Sequence, residues 1–343
     1  HKFKKEVDLQ YKAIKENYLQ RKSEKNHIAL EKARKNRLKI NWDEVDVIAP
    51  KKLGVQIYDN IDISIIRNYI DWSPFFFTWE MRKRYPEILE DKKFGGQALQ
   101  LFQEANNMLD KIISHKWLKL KASIGIWRAN SVGDDIKLFD QEDNHIETYC
   151  MLRQQSIKST RNLCLADYIA PLDLGKKDFI GSFICTSGLG IEHQLAIFEN
   201  NHDDYNSIML KALADRLAEA LTEYMHEMVR KDIWGYAREE NFDNNALIAE
   251  RYKGIRPAPG YTACPDHTEK KKIFKLLRSN EIGVSLTENM AMYPNATVSG
   301  YYFAHHESKY FNVGKIYDDQ IKDYAKRKKI DVLEVEKWLR ANI

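Results

Sequence analysis

Arg256-Pro257-Ala258-Pro259-Gly260-Tyr261-Thr262-Ala263-Cys264-Pro265-Asp266-His267-Thr268-Glu269-Lys270 reads as a stiff loop that runs into a helix. It holds three of the chain's eight prolines, so its backbone is largely fixed and fits neither a helix interior nor a central strand. Pro257 and Pro259 drive Arg256 and Ala258 toward extended geometry. Gly260 permits a tight turn, or the close approach of a ligand to the backbone. With Arg256 at its start and Tyr261 after the glycine, the loop is a candidate clamp for a small zwitterion, the guanidinium taking a carboxylate through two parallel bonds. Taken alone, such a stretch is more often a proline-rich surface turn. Asp266 or Thr268 is placed to cap a helix that begins near Glu269.

Outward from the loop, helices and strands alternate without a regular βαβ rhythm, which predicts an α+β fold: helices packed around a twisted antiparallel sheet, one main domain preceded by a helical linker. Ile63–Tyr69 reads as a short helix. Residues 97–113 place Ala98, Leu101, Phe102, Ala105, Met108, Leu109 and Ile112 on one helical face. Residues 123–128 and 136–139 read as a hairpin around a turn at 131–135, and 178–186 as a further strand broken by the glycines of 186–190. Residues 204–233 form the longest predicted helix. Met209, Leu213, Leu217, Leu221 and Met225 recur every four residues; Asp215, Glu219, Glu223 and Glu227 recur two positions out of phase, about 200° around the helix. The default reading of that acidic column is a solvated face, although stacked acids repel by a few tenths of a kcal/mol per pair. Residues 296–304 and 310–316 are expected to pair as antiparallel strands, and 318–328 and 332–341 to close the chain as helices. No Gly-x-Gly-x-x-Gly follows a strand, so a Rossmann-type adenosine site is not indicated.

The 343 residues, 43% hydrophobic and 11% aromatic, suffice for a sizeable core. No apolar run approaches the ~20 residues of a membrane helix. Cys150, Cys164, Cys185 and Cys264 are widely spaced and fit reduced thiols in a cytoplasmic protein; Cys264 with His267 is too few ligands for a closed zinc site. Residues 1–40 carry 13 Lys or Arg against 5 Asp or Glu. That basic arm reads as a solvated helical linker, with Val7, Tyr11, Ile14 and Tyr18 at helical spacing, rather than a nucleic-acid arm, since it lacks an aromatic platform for bases. The start His-Lys-Phe-Lys has no apolar signal region and no initiator Met, so the chain reads as a piece of something longer.

The string RPAPGY-x-x-x-P-x-H-T-E-K resembles the hallmark loop of the activation domain of cobalamin-dependent methionine synthase, which binds S-adenosylmethionine. Asp71-Trp72-Ser73-Pro74-Phe75-Phe76, Arg153-Gln154-Gln155, Leu165-Ala166-Asp167-Tyr168, His202-Asp203-Asp204-Tyr205-Asn206, Lys211 to Glu219, Trp234-Gly235-Tyr236 and Ser308-Lys309-Tyr310 resemble that family in the same order. The resemblance implies residues 1–45 as a helical linker from an absent cobalamin-binding module and 46–343 as the reactivation domain. It implies methyl transfer from S-adenosylmethionine during reductive methylation of cob(II)alamin to methylcobalamin. Flavodoxin or an equivalent reductase is the implied electron donor, and the cobalamin-binding domain of the same polypeptide the partner. Zinc is implied only for an absent homocysteine-binding domain. The fragment alone is not expected to turn over, and no nucleic-acid or membrane partner is expected. The alternative is a non-catalytic sensing or docking module of the same fold.

The ligand itself dictates part of the site: an anion for its ammonium, a bidentate cation for its carboxylate, and a flat or backbone surface for adenine. Arg256 fits the carboxylate and Asp71 the ammonium; backbone groups around Ala258, Gly260 and Tyr261 fit the adenine edge. By resemblance, Asp71, Arg256 and Tyr310 fall on ligand-binding positions, and Phe311 stands where a tyrosine is common, which removes a hydroxyl there. The resemblance also places Asp215 and Glu219 near the cleft. Read without it, Asp71 is a helix cap, Tyr310 a half-buried strand residue, and Trp72, Phe75, Phe76 and Phe77 core. No Ser-His-Asp, Gly-x-Ser-x-Gly or His-Glu-x-x-His pattern supports hydrolysis, and no catalytic residue is assigned.

Overall fold

The computed structural model describes residues 27–343; the expected helix over Val7, Tyr11, Ile14 and Tyr18 lies outside them. One antiparallel sheet organises the described residues. It contains β1 (Gly54–Ile61), β2 (Lys119–Val132), β3 (Asp135–Phe139), β4 (His145–Cys150), β5 (Asp178–Leu189) and, after a small separate ribbon of β6 (Ser285–Leu286) and β7 (Met292–Tyr293), β8 (Thr297–Tyr302). The order is β4-β3-β2-β5-β8, with β1 also on β2. β2 is long enough to serve two neighbours on one edge: β1 pairs its first half, Gly54 opposite Ile126, and β3 its second, Arg128 opposite Phe139.

The period of two along the strands decides the layers. Leu120, Ala122, Ile124 and Ile126 of β2 and Phe179, Phe183 and Cys185 of β5 enter one core, against helices. Trp127, Ala129, Ile180 and Ile184 enter the other. The helical side is built by α1 (Gly95–His115), α2 (Ile191–Asn200) and α3 (Asp204–Met228). α3 starts because the Asp203 carboxylate accepts from the Asn206 N–H at 3.1 Å, and it lies on the sheet because its apolar column is continuous. Met209, Leu213, Leu217, Leu221 and Met225 are each at most 1% exposed, and full burial of one such side chain stabilises by roughly 1.5–3 kcal/mol. The opposite core is closed by α4 (Lys270–Leu276), through Ile273 and Phe274, and by Ile255, Ala263 and Cys264 of the proline-rich loop. α5 (Asp318–Lys328) and α6 (Val332–Leu339) form a third cluster with Cys150, Leu152 and Val313.

Three local expectations need correction or refinement. β5 does not break at residue 186 but runs to Leu189; a Cβ on Gly188 would lie 2.6 Å from Pro294, so this glycine serves close packing, and Gly190, at φ +93°, makes the turn. Residues 310–316 are not a strand. The Val313 N–H donates to the Thr262 carbonyl at 2.9 Å and the Ile316 N–H to Asn342 at 2.8 Å, so the backbone bonds go to two separate segments rather than to a strand, while Val313 and Ile316 bury in the third cluster. The free edge of β8 is taken instead by 255–257: Ile255 and Phe303 exchange both backbone bonds, and the Tyr301 N–H donates to the Pro257 carbonyl at 2.9 Å. Proline suits that outer position because it has no N–H to give. The described part of the N-terminal arm is tied to the body: the Ile28 N–H donates to Gln155, and Arg34 pairs with Asp134 and Asp323, each at 2.7 Å.

Candidate functional site

The hallmark loop is held at both ends. Its start is the β-edge just described. Its turn closes through Gly260, at φ +97°, whose N–H donates to the Cys264 carbonyl at 2.7 Å. A Cβ there would sit 2.2 Å from the His267 ring, so only glycine fits. The Tyr261 N–H donates to the Ala258 carbonyl at 3.2 Å, while the Tyr261 ring is 68% exposed. The Ala258 N–H has no partner among the described residues. Asp266 caps the following turn by accepting from the Thr268 N–H at 2.8 Å.

Arg256 points inward, into a cluster supplied by the end of α3 and the segment before the loop. Its Nη2 donates to Glu223 Oε2 at 2.7 Å. Its Nη1 donates to the Tyr252 hydroxyl at 2.5 Å and to His226 Nδ1 at 3.2 Å. Its backbone N–H donates to the Tyr310 hydroxyl at 3.1 Å. Because a guanidinium only donates, His226 Nδ1 is the acceptor and Nε2 carries the proton, 3.3 Å from the Tyr236 hydroxyl. Burial first, then the Arg230 and Arg256 charges, hold His226 well below the usual histidine range, so it is neutral. Burial opposes the charge on Arg256, but Glu223, Tyr252 and Tyr310 outweigh it and keep the guanidinium above its ordinary range.

Three of the five donors of Arg256 are thus used. Its Nε and one Nη2 hydrogen have no partner among the described residues. Nε and Nη2 share one edge of the guanidinium, the edge that takes a carboxylate side-on.

A second guanidinium stands behind the first. α3 passes into a π-helical turn at Val229–Ile233, a distortion common at functional sites. Arg230, on that turn, is fully buried; its Nε donates to Glu240 at 2.5 Å and it lies 4.1 Å over the Tyr252 ring. Its Nη1 is 3.8 Å from Glu223 Oε1, beyond hydrogen-bond length. Arg230 Nη1 and Nη2 and Glu223 Oε1 are buried and have no hydrogen-bond partner among the described residues; such orphaned atoms cost about 1–3 kcal/mol each.

The acidic column of α3 therefore changes character along its length. Asp215 and Glu219 are exposed, Glu223 is buried between two arginines, and Glu227 pairs with Lys231 at 3.2 Å and accepts from Tyr69 at 2.8 Å. Asp215 reaches solvent, yet surrounding protein partly desolvates its carboxyl and pushes it above the usual carboxylate range. Glu219 stays within electrostatic reach of the cluster: the Cys185 thiol, pushed up to about 12 chiefly by burial, is acted on by both Arg256 and Glu219.

Asp71 sits apart, on a polar hollow of about 690 Å³ lined by Ser73, Arg84, Asn244, Ile248 and Ala249 among others. Its Oδ1 accepts from the Ser73 N–H at 2.9 Å, a turn bond just ahead of the helix Ser73–Thr78, whose N-cap is Trp72; its Oδ2 has no partner among the described residues. The lining helix, Asn244–Ile248, leads within two residues to Glu250, whose carboxyl is raised by burial and acted on by Arg256 and Glu223. One short segment thus joins the Asp71 hollow to the Arg256 cluster. Phe311 turns away from both and packs between the second and third cores. Trp72, Phe75 and Phe76 are core, whereas Phe77 is 45% exposed.

Sequence reasoning singled out Arg256 and Tyr310, which the structure brings together, but not Glu223, His226, Arg230 or Tyr252. The available signal was the acidic column: its third member lies only seven residues before Arg230, two helical turns away on the same face.

Residues 62–329 match the family model described as "Vitamin B12 dependent methionine synthase, activation domain". The chain is also similar to a solved structure titled "Crystal Structure of the MetH Reactivation Domain bound to AdoHcy". The two share 50% identity and a TM-score of 0.90 over 92% of this chain and 98% of that one. The mixed helices and antiparallel sheet found here are that domain's fold, and the chain belongs to the family of vitamin B12 dependent methionine synthase activation domains.

Proposed function

We propose that the Arg256 cluster and the loop after it hold S-adenosylmethionine, and that the chain, as the reactivation part of a methionine synthase, presents its methyl group for reductive reactivation. The observation that carries the reading is the unused Nε–Nη2 edge of a guanidinium otherwise fixed by Glu223, Tyr252 and His226. A carboxylate arriving there receives two parallel hydrogen bonds with little reorganisation. The ligand named for the similar solved structure, S-adenosylhomocysteine, has the same amino-acid tail and adenosine and lacks only the methyl, which supports the assignment.

In this reading Asp71 Oδ2 takes the ammonium while Oδ1 keeps its bond to the Ser73 N–H. The Ala258 N–H and the backbone of Gly260 and Tyr261 read the adenine edge. Tyr310 fixes the Arg256 backbone, and Phe311 contributes backbone and packing only. Exposed Asp215 and Glu219 lie on the side from which the acceptor is delivered. Cobalamin, carried by another domain of the same polypeptide, supplies the methyl-accepting cobalt, with flavodoxin or an equivalent reductase as electron donor. The residues of this chain bind and orient the ligand. The chain alone binds without turnover and acts in the cytoplasm. No described helix is long and apolar enough to cross a membrane.

Calorimetry with S-adenosylmethionine tests this. Binding heat is expected, and Arg256→Ala should weaken affinity by roughly 2–5 kcal/mol; absent heat, or heat unchanged in the variant, overturns the assignment. Adding a separate cobalamin-binding domain and reductant then separates methyl donation from mere sensing.

A further inference from the structure

We propose that Glu223 and Arg230 are positioning residues that set the selectivity of this site for a carboxylate-bearing ligand, acting through Arg256 rather than by touching the ligand. The inference rests on the ligand reading above. Glu223 is shared unequally, with Oε2 at 2.7 Å from Arg256 and Oε1 at 3.8 Å from Arg230. Arg230 is anchored by Glu240, by the Tyr252 ring and by its place on the π turn, and its carbonyl accepts from the Ala237 N–H at 2.9 Å. The mobile partner is therefore the Glu223 side chain.

Buried charge in the cluster is balanced: Arg230 and Arg256 against Glu223 and Glu240. A ligand carboxylate on the free edge of Arg256 adds a third anion. His226, held between the two arginines, does not offset it by taking a proton. Glu250, at the rim, carries the same sign as the newcomer. The available response is for Glu223 to close the gap to Arg230, whose two unpartnered Nη atoms are ready donors. Glu223 therefore opposes the ligand carboxylate, and Arg230 favours it by drawing Glu223 away.

The test compares S-adenosylmethionine with its decarboxylated analogue, which keeps adenosine, sulfonium and amine. The readout is the ratio of the two dissociation constants, measured by calorimetry on the whole chain. Glu223→Gln keeps an acceptor for Arg256 but removes the charge, so the preference for the carboxylate should rise about fivefold or more. Arg230→Met should lower it about tenfold, and Arg230→Lys should hold it within about twofold; these lie in the range of couplings between neighbouring sites. If both ligands weaken by the same factor in Glu223→Gln and Arg230→Met, the role is only structural and the proposal fails. Should Arg230→Met not fold, Glu223→Gln decides alone. If the wild-type chain binds neither ligand, the ligand reading itself is what fails.

Discussion

Two buried arginines invite comparison. Arg153 is fully buried between β4 and the C-terminal helices, and each of its guanidinium nitrogens has an anionic or carbonyl partner. Its Nε donates to Asp134 at 2.7 Å, Nη1 to the Asn162 carbonyl at 2.7 Å and to Asp167 at 2.8 Å, and Nη2 to Asp167 at 2.8 Å, with Asp134 in ionic contact 2.6 Å from Nη2. Arg256 is less deeply set, its side chain 17% exposed against 1%, and keeps an edge free. A saturated guanidinium holds a fold together; an unsaturated one, fixed by the remainder of its bonds, waits for a partner. The largest expected effect breaks the first kind. Arg153→Met strands Asp167 in the interior, leaves Asp134 with Arg34 alone, and should cost about 3–5 kcal/mol in urea unfolding, with ligand affinity of the folded fraction retained. Arg256→Met should cost less stability, because Glu223 has Arg230 within reach, while abolishing measurable binding. Equal stability losses would erase the distinction.

Acid should sharpen the contrast. Burial and two cationic neighbours depress the pKa of His226 in the fold, and burial with His306 brings His305 down to about 4. For a base with a depressed folded pKa, the unfolded chain takes up a proton that the native state refuses. The associated stability is therefore complete above about pH 6.5 and is lost as pH falls below it. Each such histidine adds a slope of up to about 1.4 kcal/mol per pH unit. Urea unfolding at pH 7.5, 6.5 and 5.5 should show that decline, and His226→Asn, which keeps an acceptor for Arg256, should remove one proton's worth of it. An unchanged slope would mean that His226 is protonated in the fold and that Arg256 is held differently.

What could be seen in the sequence was whatever a local period or a backbone constraint encodes. The column Met209 to Met225 located α3 and its buried face. The prolines and Gly260 located the loop, and Asp266 its following cap. What could not be seen was long-range cover. Helical period alone sends Glu223 to solvent along with Asp215 and Glu219, because nothing local says that residues 250–256 fold back over that end of the helix. Residues 310–316 misled for the same reason, their backbone bonds going to Thr262 and Asn342, far away in sequence. Asp71 could be read as a cap or as a ligand; the helix that follows has Trp72 at its N-cap, and Asp71 Oδ1 bonds the Ser73 N–H one residue ahead of it while Oδ2 stays open.

Within the loop itself the contrast is between a residue the backbone requires and one that only the ligand would notice. Gly260→Ala forces a left-handed conformation costing roughly 1–2 kcal/mol and drives a methyl into the His267 ring. It should lower both stability and affinity, because His267 and the turn carrying the Ala258 N–H must move. Tyr261 is the smallest case. Its ring is mostly exposed, so Tyr261→Ala should shift unfolding by no more than about 0.5 kcal/mol. If the adenine edge is read by the backbone, affinity for S-adenosylmethionine should also fall far less than in Arg256→Ala. A loss as large as that of Arg256→Ala, at unchanged stability, would show that the ring and not the backbone is the principal surface for the base.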